Sequence, residues 1–253
     1  MPTDLKSFGL TEMLRCSVAL RQAAKGSSSM EDAARRVCRY LYDEFGDVST
    51  AAGADELIGG GDCALVRLYK THSYARLTPS LRRFADKALG GTVAPPGLRC
   101  LTLLGTAGDE PEWNDRDTSR GHRAIPLPSP KIVEQAPMIA QLVRQFGLDL
   151  ADVVSPSPEF VREMAGRSYG VFHVEDAVGS PFIPAQAEFV ERYGIRSVVG
   201  FGGALRNGDI FAVVLFSRVA ITRDVAERFR TIALDVKSSL FNFEDNQVFA
   251  AKA

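Results

Sequence analysis

The sequence lacks any apolar run near the roughly 18 residues that a membrane-spanning helix needs. Its opening residues, MPTDLKSFGL, have neither the basic nor the apolar region of a secretory signal peptide. Lysines and arginines number 30 against 31 acidic residues, so the overall charge offers no basic footprint for nucleic acid or an anionic membrane. We therefore expect a cytoplasmic protein that binds neither nucleic acid nor membranes.

Metal-binding and catalytic motifs are missing as well. Cys16, Cys38, Cys63 and Cys100 form no CxxC pair and have no histidine at zinc-binding spacing, so we expect buried, reduced thiols. No GxSxG, HExxH or P-loop pattern occurs. Nucleophilic catalysis therefore has little support in this sequence, and we predict that the protein is not an enzyme.

The most informative pattern that is present lies in the last third of the chain. Residues 195–205 (IRSVVGFGGAL) and 210–218 (IFAVVLFSR) are apolar and flank an Arg-Asn-Gly-Asp turn at 206–209. Asn-Gly between two apolar runs predicts a β-hairpin, because both central residues of such a turn must tolerate positive φ. An amphipathic exit helix over residues 222–240 is predicted directly after the hairpin.

Helices are also predicted near the beginning of the chain. Residues 11–25 and 30–45 have the 3.6-residue apolar period, and Ser28 and Glu31 have capping-box spacing. Residues 47–62, rich in glycine, alanine and aspartate, predict a mobile surface loop. We divide the chain into a helical region with this loop, a main domain and a tail: 1–61, 62–241 and 242–253.

Strand and helix patterns alternate through the middle of the chain. Prolines at the first helical position predict short helices, the first over residues 78–89. With the hairpin, about six strands are expected, which indicates an α+β fold with a central, mainly antiparallel sheet and helices on its faces. The strands outside the hairpin are predicted at 63–70, 98–106, 124–127 and 169–174.

This arrangement resembles a GAF domain. The matching stretches are CALVRLYKTH, LTLLGTAGDEPEWNDR, SRGHRAIPLPS, FHVEDAVGSPFIPAQ and YGIRSVVGFGGALRNGDIFAVVLFSR with its exit helix. They are most similar to the N-terminal sensory region of bacterial multidomain sensor histidine kinases and cyclases. The resemblance implies a signalling protein that binds a small molecule or a signalling partner, has no catalysis of its own and forms a homodimer.

Two departures from the GAF pattern affect this interpretation. The helix predicted over residues 78–89 replaces the tight first hairpin that is common in the fold, so the order of the early strands stays open. No kinase, cyclase or DNA-binding module follows the exit helix. We expect a free-standing sensor that acts through a separate histidine kinase or other output protein, a diverged remnant, or a fragment of a larger protein.

The resemblance places a ligand between the sheet and the helices and loops over one of its faces. An aromatic ring can stack on a planar ligand, and an arginine can hold an anionic group. The alternative is a structural loop whose tryptophan fills the core. The candidate ligand-binding residues come from the long polar segment 107–123 and from a later strand: Trp113, Arg116, His122, Tyr169 and His173.

The cofactor is unknown from the sequence. His72, His122 and His173 leave a metal or haem site open, with imidazole nitrogen as the ligand. The alternative at each place is a structural histidine with a hydrogen-bond partner. The glycines of residues 200–203 lie within a predicted strand, which favours close backbone packing or a bulge over a phosphate cradle.

Two other functions stay open. A thiol-dependent reductase of free methionine sulfoxide would need Cys63 and Cys100 as neighbours, although the cysteine pattern of those enzymes is absent. The other is a ligand-free dimerising adaptor. A dimer interface would use the apolar stripe of the exit helix, unless that stripe packs on its own sheet. The stripe consists of Val225, Phe229, Ile232, Val236 and Leu240.

Overall fold

The computed structural model describes residues 3–46, 61–164, 170–243 and 247–251, and within these ranges six strands form one sheet. Its order is β3-β2-β1-β6-β5-β4, and every neighbouring pair is antiparallel. The predicted α+β class with a central antiparallel sheet is confirmed. The strands are β1 (Cys63–Ser73), β2 (Arg99–Gly108), β3 (Ala124–Leu127), β4 (Gly170–Val174), β5 (Ser197–Ala204) and β6 (Ile210–Ser217).

Helices cover both faces of this sheet. In the described residues they are α1 (Leu10–Ala23), α2 (Met30–Gly46), α3 (Pro79–Ala88), α4 (Pro130–Val133), α5 (Pro137–Gln145), α6 (Leu150–Val154), α7 (Pro158–Met164) and α8 (Arg223–Leu240). Helices α1, α2 and α8 bury apolar side chains against one face, and α4 to α7 cover the other. The helix α3 closes a smaller cluster around Cys100.

The order of the early strands is settled by the pairing of β1 with β2. The two strands are antiparallel neighbours from Leu65 opposite Gly108 to Ser73 opposite Arg99. The connection between them carries α3, which begins after Thr78, whose hydroxyl accepts a hydrogen bond from the Leu81 N–H. An inserted helix therefore leaves the pairing of the flanking strands intact.

The predicted hairpin is present. β5 and β6 pair along their whole length, and Gly208 in the turn has a φ of 78°, a conformation that favours glycine. A Cβ atom on Gly202 would lie 2.1 Å from the carbonyl oxygen of Phe211. The strand glycine therefore allows close backbone approach, as predicted, and does not form a phosphate cradle.

The start of α2 differs by one residue from its prediction. Ser29 Oγ accepts a hydrogen bond from the Asp32 N–H at 3.1 Å, and Asp32 Oδ2 accepts one from the Ser28 N–H at 3.1 Å. Asp32 therefore takes the place expected for Glu31: the Ser29 hydroxyl caps its N–H, and its carboxylate caps the Ser28 N–H. The Glu31 carboxylate instead binds Arg116.

The stripe of α8 packs inside its own chain. The Phe229 ring lies 5.0 Å from Phe8 and 5.2 Å from Phe201, measured between centroids. The five stripe residues assigned to a dimer interface are no more than 5% exposed, so they are covered by their own sheet and by α1. The assigned residues are corrected accordingly: Val225, Phe229, Ile232, Val236 and Leu240 are core residues. The homodimer itself stays a prediction.

The helices near the beginning of the chain join the main core. Side chains of α1 and α2 share one apolar cluster with β1, β5 and α8, while the proposed division of the chain stays a prediction. Most of the predicted mobile loop, residues 47–60, lies outside the described residues. Among the helices that the structure describes, none has the length and hydropathy to cross a membrane.

Candidate functional site

Buried charged side chains lie close together near the end of β1, beside the β5–β6 turn. The register brings them there, because Lys70 pairs with Phe211 and Ser73 pairs with Arg99. Lys70 is 1% exposed, and the Arg99 side chain is 12% exposed. Lysine and arginine are rarely buried unless they are paired, so these two residues mark a candidate functional site.

Asp209 is the shared counter-ion of the two cations. Its Oδ2 atom accepts hydrogen bonds from Lys70 Nζ and, at 2.9 Å, from Asn207 Nδ2. Its Oδ1 atom accepts hydrogen bonds from Arg99 Nη2 and, at 3.4 Å, from Thr71 Oγ1. One carboxylate therefore holds the β5–β6 turn against the ends of β1 and β2.

Lys70 has several polar neighbours. Its Nζ atom donates to Asp209 and, at 3.0 Å, to the Thr71 carbonyl, and it lies 3.4 Å from His72 Nδ1. Burial lowers the pKa of Lys70, and the Asp209 carboxylate opposes that shift. The charge of this lysine therefore depends on one neighbouring carboxylate.

Positive charge exceeds negative charge in the site. Lys70 and Arg99 share one carboxylate, Asp209, and no other acidic residue of the described chain lines the adjoining cavity. Arg99 Nε is buried without a hydrogen-bond partner among the described residues. A buried donor without an acceptor costs about 1–3 kcal/mol, so this corner would stabilise an added anion.

Two cavities meet at the site. The first, of about 370 Å³, lies between Arg99 and residues 154–156. The second, of about 510 Å³, has residues 247–249 in its wall. His72 and Arg76 line both cavities, so the two spaces adjoin at these side chains.

The buried imidazole of His72 is neutral near pH 7. Burial lowers the pKa of His72 to about 4, and the Lys70 ammonium acts in the same direction. An unfolded histidine titrates near ~6.5, so the unfolded chain binds this proton more readily than the folded chain. The stability contributed by neutral His72 is therefore present above about pH 6.5 and is lost as the pH falls towards about 4.

We expect protonation of His72 to lower the free energy of unfolding by up to about 3 kcal/mol as the pH falls from about 7 to about 4. Urea unfolding across that range measures the fall. A His72→Gln variant keeps a polar side chain without the titration, and its curve should lack this part of the pH dependence. Identical pH dependence in the variant and the native protein would contradict the assignment to His72.

Trp113 lies in an aromatic cluster away from this site. Its ring centroid is 4.6 Å from that of Tyr193 and 5.8 Å from that of Phe189. Its carbonyl accepts a hydrogen bond from Thr106 Oγ1 at 2.7 Å. These contacts correspond to the alternative in which the tryptophan of the long loop fills the core.

Arg116 is buried beside the start of α2. Its Nη2 atom is 2.9 Å from Glu31 Oε1, and its guanidinium lies 5.5 Å from the Phe249 ring centroid. Within the described chain, its Nε and Nη1 atoms have no hydrogen-bond partner. The small cavity beside it, about 150 Å³, is also lined by Asp115 and Asp117. A role for Arg116 in holding an anion therefore stays a prediction, with carboxylates as its observed neighbours.

The remaining predicted ligand-binding residues do not join Trp113 in one pocket. His122 is exposed and has a φ of 61°. His173 Nε2 donates to the Ile221 carbonyl at 2.8 Å. The strand neighbours of His173 belong to the cluster that contacts Trp113, so His173 itself points to the opposite face of the sheet. Tyr169 lies outside the described residues.

The histidines do not converge on a metal or haem site. His72 is on β1 and His173 is on β4, three strands away, which is about 14 Å at ~4.8 Å per strand. The described residues contain no group of three histidine, cysteine or acidic side chains that could hold a metal ion. The residues present therefore do not fit a group held by these histidines.

The two candidate reductase thiols are far apart. Cys100 pairs with His72, nine residues along β1 from Cys63, or about 30 Å at ~3.3 Å per residue. A disulfide requires Cα atoms within about 7 Å. Burial raises the pKa of the Cys100 thiol to about 12 and raises that of Cys63 as well, which disfavours a reactive thiolate. Cys63 and Cys100 therefore cannot act as a nucleophilic and resolving pair.

Sequence reasoning did not select Lys70, Arg99 or Asp209. Each residue is unremarkable in its local context, because lysine and arginine are mostly surface residues and hairpin turns often contain aspartate. The available signal was three charged residues at the ends of segments that were predicted to be strands and a turn. Only the pairing of β1 with β2 and β6 brings them within hydrogen-bond distance.

No family model matches the chain, and no curated protein matches it. Solved structures are similar to it in fold. The GAF domain from an Acinetobacter phosphoenolpyruvate-protein phosphotransferase has 11% identity and a TM-score of 0.47, with 94% of this chain and 97% of that chain covered. The GAF domain of the phosphoenolpyruvate-protein phosphotransferase from Coxiella burnetii has 10% identity and a TM-score of 0.45, with 91% and 93% covered.

A third similar structure is the phycocyanobilin-bound GAF domain from a cyanobacterial phytochrome, with 12% identity, a TM-score of 0.41 and 96% of each chain covered. The fold is similar to that of GAF domains, the family that the sequence resembles. Because identities are 12% or less and TM-scores are below 0.5 in these comparisons, the function proposed below rests on the geometry of this chain.

Proposed function

We propose that this chain is a sensory, regulatory domain that binds a small anionic molecule at the Lys70–Arg99–Asp209 site and has no catalysis of its own. The observation that carries the proposal is buried positive charge in excess beside a cavity, with Arg99 Nε lacking a partner among the described residues. Carboxylate and phosphate oxygens match the planar donors of arginine, so a molecule with one of these groups is the expected ligand.

The size and walls of the first cavity support a metabolite-sized ligand. Its volume of about 370 Å³ lies within the ~300–1,000 Å³ that is typical of small-molecule sites. Val154 and Pro156 form an apolar part of its wall. Such a wall lowers the local dielectric constant, which strengthens a hydrogen bond between the ligand and an arginine. Asp209 neutralises one of the two buried cations, Lys70 and Arg99, so a ligand with at least one negative charge would balance the other.

The position of Asp209 supports a route from the site to the exit helix. Asp209 lies in the turn between β5 and β6, and β6 leads into α8. A ligand that competes for Lys70 and Arg99 would change the contacts that hold this turn. It shifts α8 only if it binds two arrangements with different affinity, typically by about 1–3 kcal/mol. A separate histidine kinase or other output protein, contacted by a homodimer, is our proposal for the next step.

Calorimetric titration with inorganic phosphate and with succinate tests this proposal, and distinguishes the two kinds of anion. We expect one of them to bind, and Arg76→Ala to weaken binding about tenfold or more, because a hydrogen bond to a charged group contributes about 1.5–3 kcal/mol. Arg76 is exposed at the rim, so its removal should leave the fold intact.

Arg83→Ala is the matched control. Arg83 is exposed on α3 and lines neither cavity, so its removal changes the net charge equally without touching the site. Binding to this variant should stay within about twofold of the native value, since distant surface charges are screened. Absence of binding by both anions, or equal weakening in the two variants, would count against an anion site here.

A further inference from the structure

Residues 247–251 lie against the start of α2 without forming a helix or a strand. The Met30 N–H donates to the Gln247 carbonyl at 2.8 Å, and the Glu31 N–H donates to the Val248 carbonyl at 2.9 Å. In return, the Ala250 N–H donates to Glu31 Oε2 at 2.9 Å. The first N–H groups of a helix have no partner inside the helix, so this segment supplies acceptors that α2 needs.

Two side chains fix the segment in place. Val248 is 5% exposed and belongs to the apolar cluster beneath α1, α2 and α8. The Phe249 ring stands edge-on to the His72 ring, with centroids 5.2 Å apart, and lies beside the Arg116 guanidinium. The segment therefore bridges the buried histidine of the anion site and the buried arginine of the long loop.

The same segment forms a wall of the second cavity. That cavity, of about 510 Å³, lies between His72 and Arg76 on one side and residues 247–249 on the other. It adjoins the first cavity at His72 and Arg76. The segment supplies part of the wall of this cavity, so the cavity has its present shape only while the segment is docked on α2.

The docking contacts are few compared with those of the sheet and its helices. They comprise two backbone hydrogen bonds at the start of α2, the hydrogen bond from the Ala250 N–H to Glu31, one buried apolar side chain and one partly buried ring. Segments with few buried contacts open with much less free energy than the whole fold requires. Release of residues 247–251 therefore does not require the core to unfold.

We propose that residues 247–251 are a releasable cover that closes over the anion site, with Phe249 as the contact between cover and site. The proposal has two halves. The docking half, that residues 247–251 dock on α2 and can be released, does not rest on the proposed function. The ligand half, that a bound anion holds the segment closed, does rest on it. A ligand that extends past His72 and Arg76 touches the docked segment, so it binds the closed arrangement more tightly. By linkage, the same ligand holds the cover closed.

Residue-resolved hydrogen exchange tests the docking half without a ligand. The Met30 and Glu31 amides report on the cover because they donate to it. We expect Phe249→Ala to raise their exchange rates about tenfold or more. Phe241→Ala is the matched control, since the Phe241 side chain is 41% exposed and lines neither cavity. Unchanged exchange of both amides in Phe249→Ala overturns the proposal, whatever the ligand results are.

Addition of inorganic phosphate or succinate, whichever binds in calorimetry, tests the ligand half. The anion should slow exchange of the Met30 and Glu31 amides, and Phe249→Ala should weaken its binding about tenfold, while Phe241→Ala leaves it unchanged. If Phe249→Ala frees the amides but anion affinity stays the same, the cover does not close over the site; the proposal then fails and the proposed function stands. If neither anion binds, both fail.

A concentration series separates the chain's own segment from that of a second copy. A cover within one molecule gives the same exchange rates at every protein concentration. Protection that increases with concentration would show that a second copy supplies the segment by exchange between molecules, and would overturn the cover as proposed.

Discussion

Replacement of Asp209 with alanine is expected to lower the free energy of unfolding by about 3–5 kcal/mol, because it leaves two buried cations without their counter-ion. Lys70 is 1% exposed and hydrogen-bonds to Asp209, as does Arg99. The change also removes the carboxylate that joins the β5–β6 turn to β1. Urea unfolding near neutral pH measures the loss.

Asp149→Ala is the control for this prediction. Asp149 is exposed and its side chain makes no capping hydrogen bond, so the expected loss is within about 0.5 kcal/mol. Adding Lys70→Met to Asp209→Ala should recover part of the stability, since an apolar side chain of similar length removes one uncompensated charge. A loss below about 1 kcal/mol in Asp209→Ala would show that solvent already screens the charges of Lys70 and Arg99.

A second large effect is expected from Phe229→Ala, which should cost about 3–5 kcal/mol of unfolding free energy. Phe229 is fully buried among Phe8, Phe45 and Phe201, with ring centroids between 5.0 and 5.9 Å away. Truncation of this ring leaves a cavity that the surrounding rings cannot fill. Chemical unfolding and light scattering together distinguish a core defect from an assembly defect.

Leu234→Ala is the matched change on the same helix. Leu234 is 50% exposed, so its truncation should cost less than about 1 kcal/mol. If Phe229→Ala retained its stability but changed the oligomeric state, the stripe of α8 would be an interface after all. A large loss of stability at an unchanged mass per particle is the result that the buried position of Phe229 predicts.

Local patterns in the sequence determined most of the elements. The strand β3 was predicted at the residues it occupies, and the β5–β6 hairpin followed from Asn-Gly between apolar runs. The proline and threonine at the start of α3 also predicted its position. These signals are reliable because side-chain period, turn conformation and helix capping depend on residues within a few positions of each other.

Competition between partners shifted one such local prediction. Both Glu31 and Asp32 can complete a cap at the start of α2, and the local sequence does not distinguish them. In the structure Glu31 binds Arg116 and accepts a hydrogen bond from the Ala250 N–H, and the Asp32 carboxylate caps the Ser28 N–H instead. The partners of Glu31 are remote in sequence, and only the folded chain brings them to α2.

The α8 stripe shows a second limit of local patterns. Periodicity identified which side of the helix is apolar, but an apolar side can cover a sheet of its own chain or a helix of another. The sheet has two faces to cover, and α8 with α1 and α2 covers one of them. Strand order and the direction of the exit helix decided this, and neither is encoded in a heptad or a 3.6-residue period.

The sequence by itself determined the α+β class, the hairpin and the absence of familiar catalytic motifs, whereas the tertiary structure decided the candidate site. Lys70 and Asp209 are 139 residues apart, and they meet because β1 lies between β2 and β6. The burial of a charge, the pKa of His72 and the position of residues 247–251 all depend on such distant neighbours. Electrostatic free energy depends on distance in space and on exclusion of water, and both arise only when the strands have paired.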